Sequence, residues 1–360
     1  MFARQTTGWI GFDIGATSVK AAQVVRAGGV YRIRSAAIVP RSERWPLTAF
    51  AEDEARSSAD EISAAGSLCE RLAGRNAAAL LPIGACDVVQ MDAPAAKRSG
   101  DRPDFARAIE VETQRSMRDR VFEWWPTGAH PGKINVVAAP RAWSDRICAD
   151  VTASRWNCRV IDALPWALAR AASLAKQPDG NRPIAALDWA HGRSTICLVQ
   201  SGVPVLVRSL KDCGYQNVIG TVAANLRMSE ADAETLLQRF GLSSEPGSNA
   251  ANSPVEHTGR AASTSVIEDI LDQPLTHLAQ ELRRTLDYWR GVTRGQTPET
   301  IYIFGGGGAL AGVGSRLSQL LGLPVQPWRL QVEDAAAEFM PPSCLFGAAV
   351  GLSALAWEAP

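Results

Sequence analysis

The fold is decided by the stretch Asp13-Ile14-Gly15-Ala16-Thr17-Ser18-Val19-Lys20, which follows the apolar run Trp9-Ile10-Gly11-Phe12. A second apolar run extends from the end of this stretch to Val25. The order predicts a strand, a tight turn and a second strand, because glycine lets the backbone turn without a Cβ in the way. The three residues after Gly15 are small, so the N–H groups of the turn can face an anion.

The two charged side chains of this stretch suit a phosphate ligand. Asp13 would hold a metal ion or its water molecules, since Mg²⁺ prefers carboxylate and water oxygens. Lys20 would add a positive charge for a phosphate group. The alternative is an ordinary hairpin with a polar tip, and one short glycine motif does not decide between the two.

Composition narrows the class of protein. The chain has 360 residues, 46% of them hydrophobic, which allows two or three domains with sizeable cores. Its 37 basic and 37 acidic residues cancel, which argues against a broad nucleic-acid interface. The seven cysteines form no CxxC pair, so neither a zinc site nor a redox dithiol is indicated, and reduced cysteines in the cytosol are expected.

Membrane segments are not expected. Asp13 interrupts the only apolar stretch near the N-terminus, so no signal-peptide core is predicted. The uncharged apolar segment Leu345–Trp357 is shorter than the ~20 residues that a spanning helix needs. Any membrane role is therefore expected to come through a partner.

A second hairpin repeats the order of the first. Pro183–Trp189 is mostly apolar and carries Asp188 near its end, and Ser194–Val199 and Pro204–Ser209 follow as further strands. The turn Asp188-Trp189-Ala190-His191-Gly192-Arg193-Ser194-Thr195 would present a second phosphate-facing loop with its own aspartate. The alternative is a surface hairpin in which Asp188 caps a turn. The repeated order predicts two related halves.

The third candidate is the glycine quartet Gly305–Gly308, which follows the apolar strand Ile301–Phe304 and precedes a helix through Leu321. Four consecutive glycines carry a large entropic cost, which favours a close ligand contact over a flexible joint. The N-terminus of the following helix adds a positive dipole.

The remaining chain divides into recognisable segments. Pro40–Asp162 is predicted as an α+β insertion. Gly241–Ser263 is rich in small and polar residues and is predicted as a flexible loop. Val266–Tyr288 has the longest helical pattern, in which Pro274 marks a kink or the true helix start. Pro341–Ala356 closes the chain as an apolar helix.

Taken together, the three glycine-containing turns resemble those of the actin-like ATPase superfamily, which includes actin, heat-shock chaperone ATPases, sugar kinases and FtsA. The resemblance implies an α/β fold of two actin-like, ribonuclease H-like halves with mixed sheets flanked by helices. It assigns the first phosphate motif to Asp13–Lys20, the second to Asp188–Thr195 and the adenosine motif to Gly305–Gly308. The residues that it places at the nucleotide are Asp13, Gly15, Ala16, Thr17, Ser18, Lys20, Asp188, Gly192, Ser194, Thr195, Gly305, Gly306, Gly307 and Gly308.

Longer stretches resemble the PilM family of type IV pilus assembly. These are Ile10–Val24, Val136–Arg141, Val160–Asp162 with Trp166–Ala171, Ala279–Tyr288 and Ile301–Val325. The resemblance implies a first half at 1–184 with an inserted subdomain at about 41–160. It implies a second half at 185–360 with a small subdomain at about 210–298, a flexible loop at 241–263 and a C-terminal helix at 341–357 that packs back on the first half.

The same resemblance implies cofactors and a partner. ATP would lie in the cleft between the halves, with Mg²⁺ near Asp13 and Asp188. PilM-like proteins are cytoplasmic and peripheral at the inner membrane, where they bind the cytoplasmic N-terminal tail of the bitopic protein PilN in a groove between the first half and its insertion. A homo-oligomer is compatible with this family, whereas a nucleic-acid partner is not expected.

Three departures from the family pattern bear on catalysis. Ala190 replaces a glycine two residues after the second aspartate, the bulky Trp189 precedes it, and Leu164 stands where the family has a glutamate. We therefore expect nucleotide binding with weak or absent hydrolysis, and no catalytic residue is assigned. Two rival functions remain: a small-molecule (sugar) kinase of the same superfamily, and the cytoplasmic actin-like component of a type II secretion system.

Overall fold

A computed structural model describes residues 5–46, 55–95, 104–128, 132–175, 182–210, 212–242, 254–333 and 340–358. The strands are β1 Thr6–Thr7, β2 Ile10–Ile14, β3 Ser18–Ala27, β4 Val30–Pro40, β5 Asn76–Leu80, β6 Asp87–Asp92, β7 Arg120–Pro126, β8 Lys133–Pro140, β9 Asn157–Asp162, β10 Ile184–Trp189, β11 Ser194–Gln200, β12 Val203–Leu210, β13 Ile301–Phe304 and β14 Val325–Pro327. The helices are α1 Ala59–Leu68, α2 Phe105–Thr113, α3 Arg141–Ala153, α4 Leu164–Ala175, α5 Tyr215–Leu226, α6 Glu230–Phe240, α7 Pro254–Val292, α8 Gly305–Gly308, α9 Val313–Leu321 and α10 Gly347–Ser353.

The first sheet contains six strands in the order β1-β3-β2-β5-β9, with β4 paired to β3. As the sequence predicts, β2, β3 and β4 form an antiparallel meander, and Asp13 lies directly opposite Lys20 across the first hairpin. The later strands β5 and β9 join in parallel. Alternation along β2 buries Ile10 and Phe12 in the core and leaves the Asp13 side chain at the end of the strand.

The second sheet repeats this plan with five strands in the order β12-β11-β10-β13-β14. Its meander β10-β11-β12 is antiparallel, and β13 and β14 join in parallel. In each sheet, the first strand of the meander therefore carries an aspartate as its next-to-last residue, beside a turn. The predicted repeat of the two halves is present in the topology.

Three strands, β6-β8-β7, form a third, separate small sheet that carries α2 on one face. The predicted insertion at about 41–160 was too wide, because β5 and β9 fall within that range and belong to the first sheet. Their partner β2 lies far away along the chain, and parallel pairing of this kind leaves no local pattern in the sequence.

The C-terminal segment packs on the first half, with α10 against α4, β2, β3 and β5. Glycines allow this close approach: a Cβ on Gly11 would lie 2.0 Å from the Ala349 carbonyl oxygen, and a Cβ on Gly351 would lie 1.9 Å from that of Ala167. The single helix predicted at 341–357 is instead α10 flanked by two 3₁₀ turns, Ser343–Phe346 and Ala354–Trp357.

The long helix α7 corrects another prediction. It begins at Pro254, so the flexible loop predicted at Gly241–Ser263 is wrong for residues 254–263, while 243–253 lie outside the described residues. Proline suits the first helical turn, and an alanine-rich polar sequence is compatible with a helix. The small-residue composition of this segment therefore could not distinguish a helix from a loop. Pro274 lies inside α7 and is not its start. In the described ranges, no helix combines the length and the apolar character required to cross a bilayer.

Candidate functional site

The ends of the two aspartate-bearing strands meet at a cleft of about 830 Å³ between the first and second sheets. Residues from both halves line it, so it is a shared crevice and not a surface depression of one half. Ten of the fourteen residues predicted at the ligand line its wall: Asp13, Gly15, Ala16, Thr17, Ser18, Lys20, Asp188, Gly192, Gly305 and Gly306.

Three titratable side chains, those of Asp13, Lys20 and Asp188, line the cleft together. The Lys20 ammonium donates to Asp13 Oδ2 at 2.9 Å, and both side chains are largely buried. Burial disfavours the charged amine, but the Asp13 carboxylate more than offsets this, with help from Asp188, and the pKa of Lys20 is raised. The cleft therefore holds one positive charge that is paired with Asp13 and is also influenced by Asp188.

Asp188 lies in the cleft near Asp13 and Lys20. Burial in the cleft and the nearby Asp13 carboxylate together raise its pKa to about 7, against the opposing effect of Lys20. A carboxyl group in this state accepts a proton near neutral pH and becomes a stronger ligand when a cation replaces that proton. Asp13 and Asp188 are therefore the pair that fits a hard divalent cation.

The first turn offers hydrogen-bond donors to the cleft. The Gly15 N–H donates to the Ser18 carbonyl at 3.0 Å, which closes the turn between β2 and β3. Among the described residues, the N–H groups of Ala16 and Thr17 have no hydrogen-bond acceptor. Both residues line the cleft, and free backbone N–H groups beside a lysine suit phosphate oxygens.

Trp189 leaves the cleft open. Successive strand residues point to opposite faces, so the Asp188 side chain faces the cleft while the Trp189 side chain enters the core of the second half. Its ring is fully buried and packs edge-on against Tyr215 at a centroid distance of 5.7 Å. Trp189 is one of the departures from the family pattern, but the alternation of β10 keeps its ring out of the cleft.

Four of the predicted ligand residues lie behind the cleft wall. Ser194 is buried, and its hydroxyl donates to the Cys213 carbonyl at 2.6 Å. The Thr195 hydroxyl is also buried, one strand away from Asp188. A Cβ on Gly307 would lie 2.2 Å from the Trp189 ring, and one on Gly308 would lie 2.9 Å from the Ile303 carbonyl oxygen. These two glycines are small because they pack on protein, whereas Gly305 and Gly306 face the cleft.

Gly305 is required by its backbone. Its φ is +78°, and an added Cβ would lie 2.8 Å from Asp188 Oδ1. The glycine therefore gives the aspartate room at the start of α8.

Sequence reasoning missed several cleft residues. Glu234 and Gln238 line it from α6, where a spacing of four puts them on one helical face. Glu234 also forms a 2.9 Å ion pair with Arg44 of the first half, which spans the cleft mouth. His191 and Arg193 line the second turn, and burial followed by the charge of Arg44 lowers the pKa of His191. The spacing on α6 is the only signal for Glu234 and Gln238, whereas His191 and Arg193 lie within the second turn, which the sequence already predicted to face phosphate.

Leu164 also lines the cleft, at the start of α4. It is 3% exposed, and the neighbouring carboxylate Asp162 is engaged by Arg170 and by the Ala163 N–H. The position that carries a glutamate in the resembling family is therefore an apolar part of the wall.

Comparison with known proteins places the fold. Neither a protein-family model nor a curated protein matches the chain. Among solved structures, a PilM–PilN type IV pilus biogenesis complex is similar with a TM-score of 0.70 and 20% identity, covering 98% of this chain and 99% of that chain. The ethanolamine utilization protein EutJ from Carboxydothermus hydrogenoformans is similar with a TM-score of 0.54 and 14% identity, covering 97% and 90%. The chain therefore has the predicted α/β fold of two actin-like halves, with mixed sheets flanked by helices.

Proposed function

We propose that the protein is an actin-like, ATP-binding scaffold of a type IV pilus or a related secretion platform at the inner membrane. The observation that carries this proposal is the likeness to the PilM–PilN complex, which extends over nearly the whole of both chains. The likeness spans the full length of the chain. It therefore includes the cleft and the small sheet, the two regions that such a scaffold would use.

ATP with Mg²⁺ fits the cleft. Its volume of about 830 Å³ is within the range of small-molecule sites. Asp13 and Asp188 would hold the cation, directly or through water, and Lys20 with the first turn would face the phosphates. Gly305 and Gly306 would let the adenosine approach the start of α8. Mg²⁺ supplies charge neutralisation for the phosphates when bound.

Hydrolysis is proposed to be weak or absent. Leu164 cannot orient or deprotonate a water molecule, and its apolar side chain occupies the cleft wall beside the engaged carboxylate Asp162. The protein would then respond to which nucleotide is bound, without rapid turnover. A small-molecule kinase remains the alternative, and ADP release measured with and without sugars separates the two.

The partner in this proposal is the cytoplasmic N-terminal tail of a PilN-like bitopic membrane protein. An extended peptide gains affinity from backbone hydrogen bonds and from pockets for alternate side chains, and the region between the first sheet and the small sheet is the proposed groove. This contact would make the protein cytoplasmic and peripheral at the inner membrane. The two halves remain part of the proposal, with the boundary placed just before Ile184, because β10 begins there and belongs to the second sheet.

Nucleotide binding is tested by calorimetric titration of the full chain with MgATP. We expect Asp13→Asn to weaken binding by about tenfold or more, because it removes a charged ligand of the cation. Asp92→Asn is the matched control, since Asp92 is exposed on the small sheet. Absence of binding by the wild type, or equal affinities for all three proteins, would overturn the nucleotide assignment.

Partner binding is tested by fluorescence anisotropy with a labelled peptide of the PilN-like tail, using a scrambled peptide as control. The corresponding tail from a type II secretion platform distinguishes the two machines. A preference for the secretion tail would move the protein to that system, and equal binding of the scrambled peptide would contradict the scaffold proposal.

A further inference from the structure

Arg41 and the residues after it hold the first turn in place. Three consecutive carbonyl groups of the turn accept hydrogen bonds from this segment: Gly15 O from Arg41 Nε at 2.8 Å, Ala16 O from the Trp45 N–H at 2.9 Å, and Thr17 O from the Arg41 N–H at 2.9 Å. The turn is therefore tied at each of these carbonyls to one short segment that follows β4.

The direction of these bonds has a chemical consequence. A carbonyl oxygen that faced the cleft would repel a phosphate, whereas an N–H group attracts it. Since the carbonyls are drawn toward the segment at residues 41–45, the N–H groups of Ala16 and Thr17 are left for the cleft. The polarity of the turn thus depends on a residue that does not line the cleft.

The Arg41 guanidinium is itself fixed on every side. Its side chain is only 1% exposed, with Nη1 donating to Glu61 Oε1 at 3.0 Å and Nη2 to Ser58 Oγ at 2.9 Å. The guanidinium also stacks on the Trp45 ring at 3.5 Å from its centroid. Ser58 is held in turn by Asp150 of α3, which accepts from its N–H at 2.7 Å.

We propose that Arg41 is a positioning residue for anion binding, which anchors the first turn to α1 and α3 so that its N–H groups face the cleft. The proposal rests on the proposed nucleotide function for the identity of the anion, a nucleoside triphosphate. The planar fork of arginine reaches Gly15, Ser58 and Glu61 in three directions, which a lysine ammonium on a flexible stem does not reproduce.

The first measurement needs no ligand. Hydrogen exchange of the full chain reports on the Gly15 and Trp45 amides, both of which donate hydrogen bonds in this arrangement. We expect Arg41→Met to speed exchange at both amides by about tenfold, and Arg41→Lys to give a smaller increase. Arg170→Met is the matched control, because Arg170 is a buried arginine that pairs with Asp162 and Glu358 and does not contact the turn.

The second measurement compares MgATP with adenosine, which lacks the phosphates. We expect Arg41→Met to weaken MgATP by about tenfold and to leave adenosine affinity within about twofold, with Arg41→Lys in between. Equal losses for both ligands would indicate a general structural effect and overturn the proposal, as would unchanged exchange at Gly15 and Trp45. If Arg41→Met does not fold, Arg41→Lys, which keeps the buried charge, decides by the same two criteria. If the wild type does not bind MgATP, the nucleotide function fails while the exchange data still decide whether Arg41 positions the turn.

Discussion

At the scale of single residues, the two cleft aspartates show what a sequence pattern contains and what it leaves out. The strand–aspartate–small-turn order identified Asp13 and Asp188, and both line the cleft. A local motif shows neither how deeply each aspartate is buried nor that the two lie near each other in the fold. Asp188 has a raised pKa because burial and Asp13 both disfavour its charge.

This raised pKa predicts a pH-dependent stability. The folded protein binds the Asp188 proton up to about pH 7, whereas the unfolded chain releases it near the ordinary value of 3.8. Between these values the folded state holds more protons, so the free energy of unfolding falls as pH rises. Asp188→Asn removes this loss of stability with rising pH. We therefore expect the free energy of unfolding of the variant, relative to that of the wild type, to increase from pH 5 to pH 8, by up to ~1.4 kcal/mol per pH unit between the two pKa values.

Urea unfolding at both pH values, without nucleotide or divalent cations, measures the difference. The exposed Asp92→Asn serves as the control and should track the wild type. If the free energies of unfolding of Asp188→Asn and wild type instead change in parallel with pH, Asp188 is ionised over the whole range from pH 5 to pH 8.

The glycine quartet gives a second prediction at this scale. Because a Cβ on Gly307 would lie 2.2 Å from the Trp189 ring, we expect Gly307→Ala to lower the free energy of unfolding by roughly 2 kcal/mol or more. Gly291→Ala is the control, since a Cβ there meets nothing within 4 Å and alanine favours the helix by ~1 kcal/mol.

Adding Trp189→Leu should recover part of the Gly307→Ala loss, because the smaller side chain makes room for the methyl group. Additive losses in the double variant, measured by chemical unfolding, would contradict this packing account.

At the scale of secondary-structure elements, local sequence patterns predicted the hairpins and the long helix. They did not predict which strands pair when those strands lie far apart along the chain. The β2–β3 and β10–β11 hairpins follow from apolar runs on either side of a short turn. The strand β7 was missed because its two tryptophans, a glutamate and a final proline give no clear alternation. The membership of β5 and β9 in the first sheet depends on contacts across the molecule.

The small sheet is joined to the second half by a buried polar contact on β12. Trp125 Nε1 donates to the Pro204 carbonyl at 2.6 Å, and Asn135 Nδ2 approaches the same oxygen at 3.3 Å. We expect Trp125→Phe to lower the free energy of unfolding by ~1–3 kcal/mol, because it removes a buried donor and leaves Pro204 less satisfied.

The neighbouring Trp124→Phe is the matched control for this prediction. Trp124 is 37% exposed and stacks on Phe105 of α2, away from the second half. Chemical unfolding of both variants gives the comparison. Equal losses would assign the cost to ring size alone and not to the hydrogen bond with β12.

At the scale of the whole molecule, the cleft lies between two halves that are connected on either side of it. The small sheet contacts β12 on one side, and the Arg44–Glu234 ion pair spans the cleft mouth on the other. The segment that carries Arg44 also carries Arg41, which holds the first turn. Glu234 lines the cleft and also takes part in this ion pair between the halves, so a ligand that reorients Glu234 would act on how the halves meet.

This arrangement predicts that MgATP and the PilN-like tail peptide change each other's affinity. Nucleotide bridging both halves would favour one cleft angle, and the proposed peptide groove lies beside the small sheet, which contacts β12 of the second half. Thermodynamic linkage requires the two effects to be equal, so a fivefold change of peptide Kd by MgATP must appear as about a fivefold change of MgATP Kd by peptide.

Calorimetry of all four arms of this cycle tests the prediction. Lys20→Met, which removes the cation proposed to face the phosphates, is expected to leave peptide affinity at the nucleotide-free value whatever the ATP concentration. Equal peptide affinity with and without MgATP in the wild type would mean that the halves are rigid with respect to each other, and that the cleft and the groove serve independent functions.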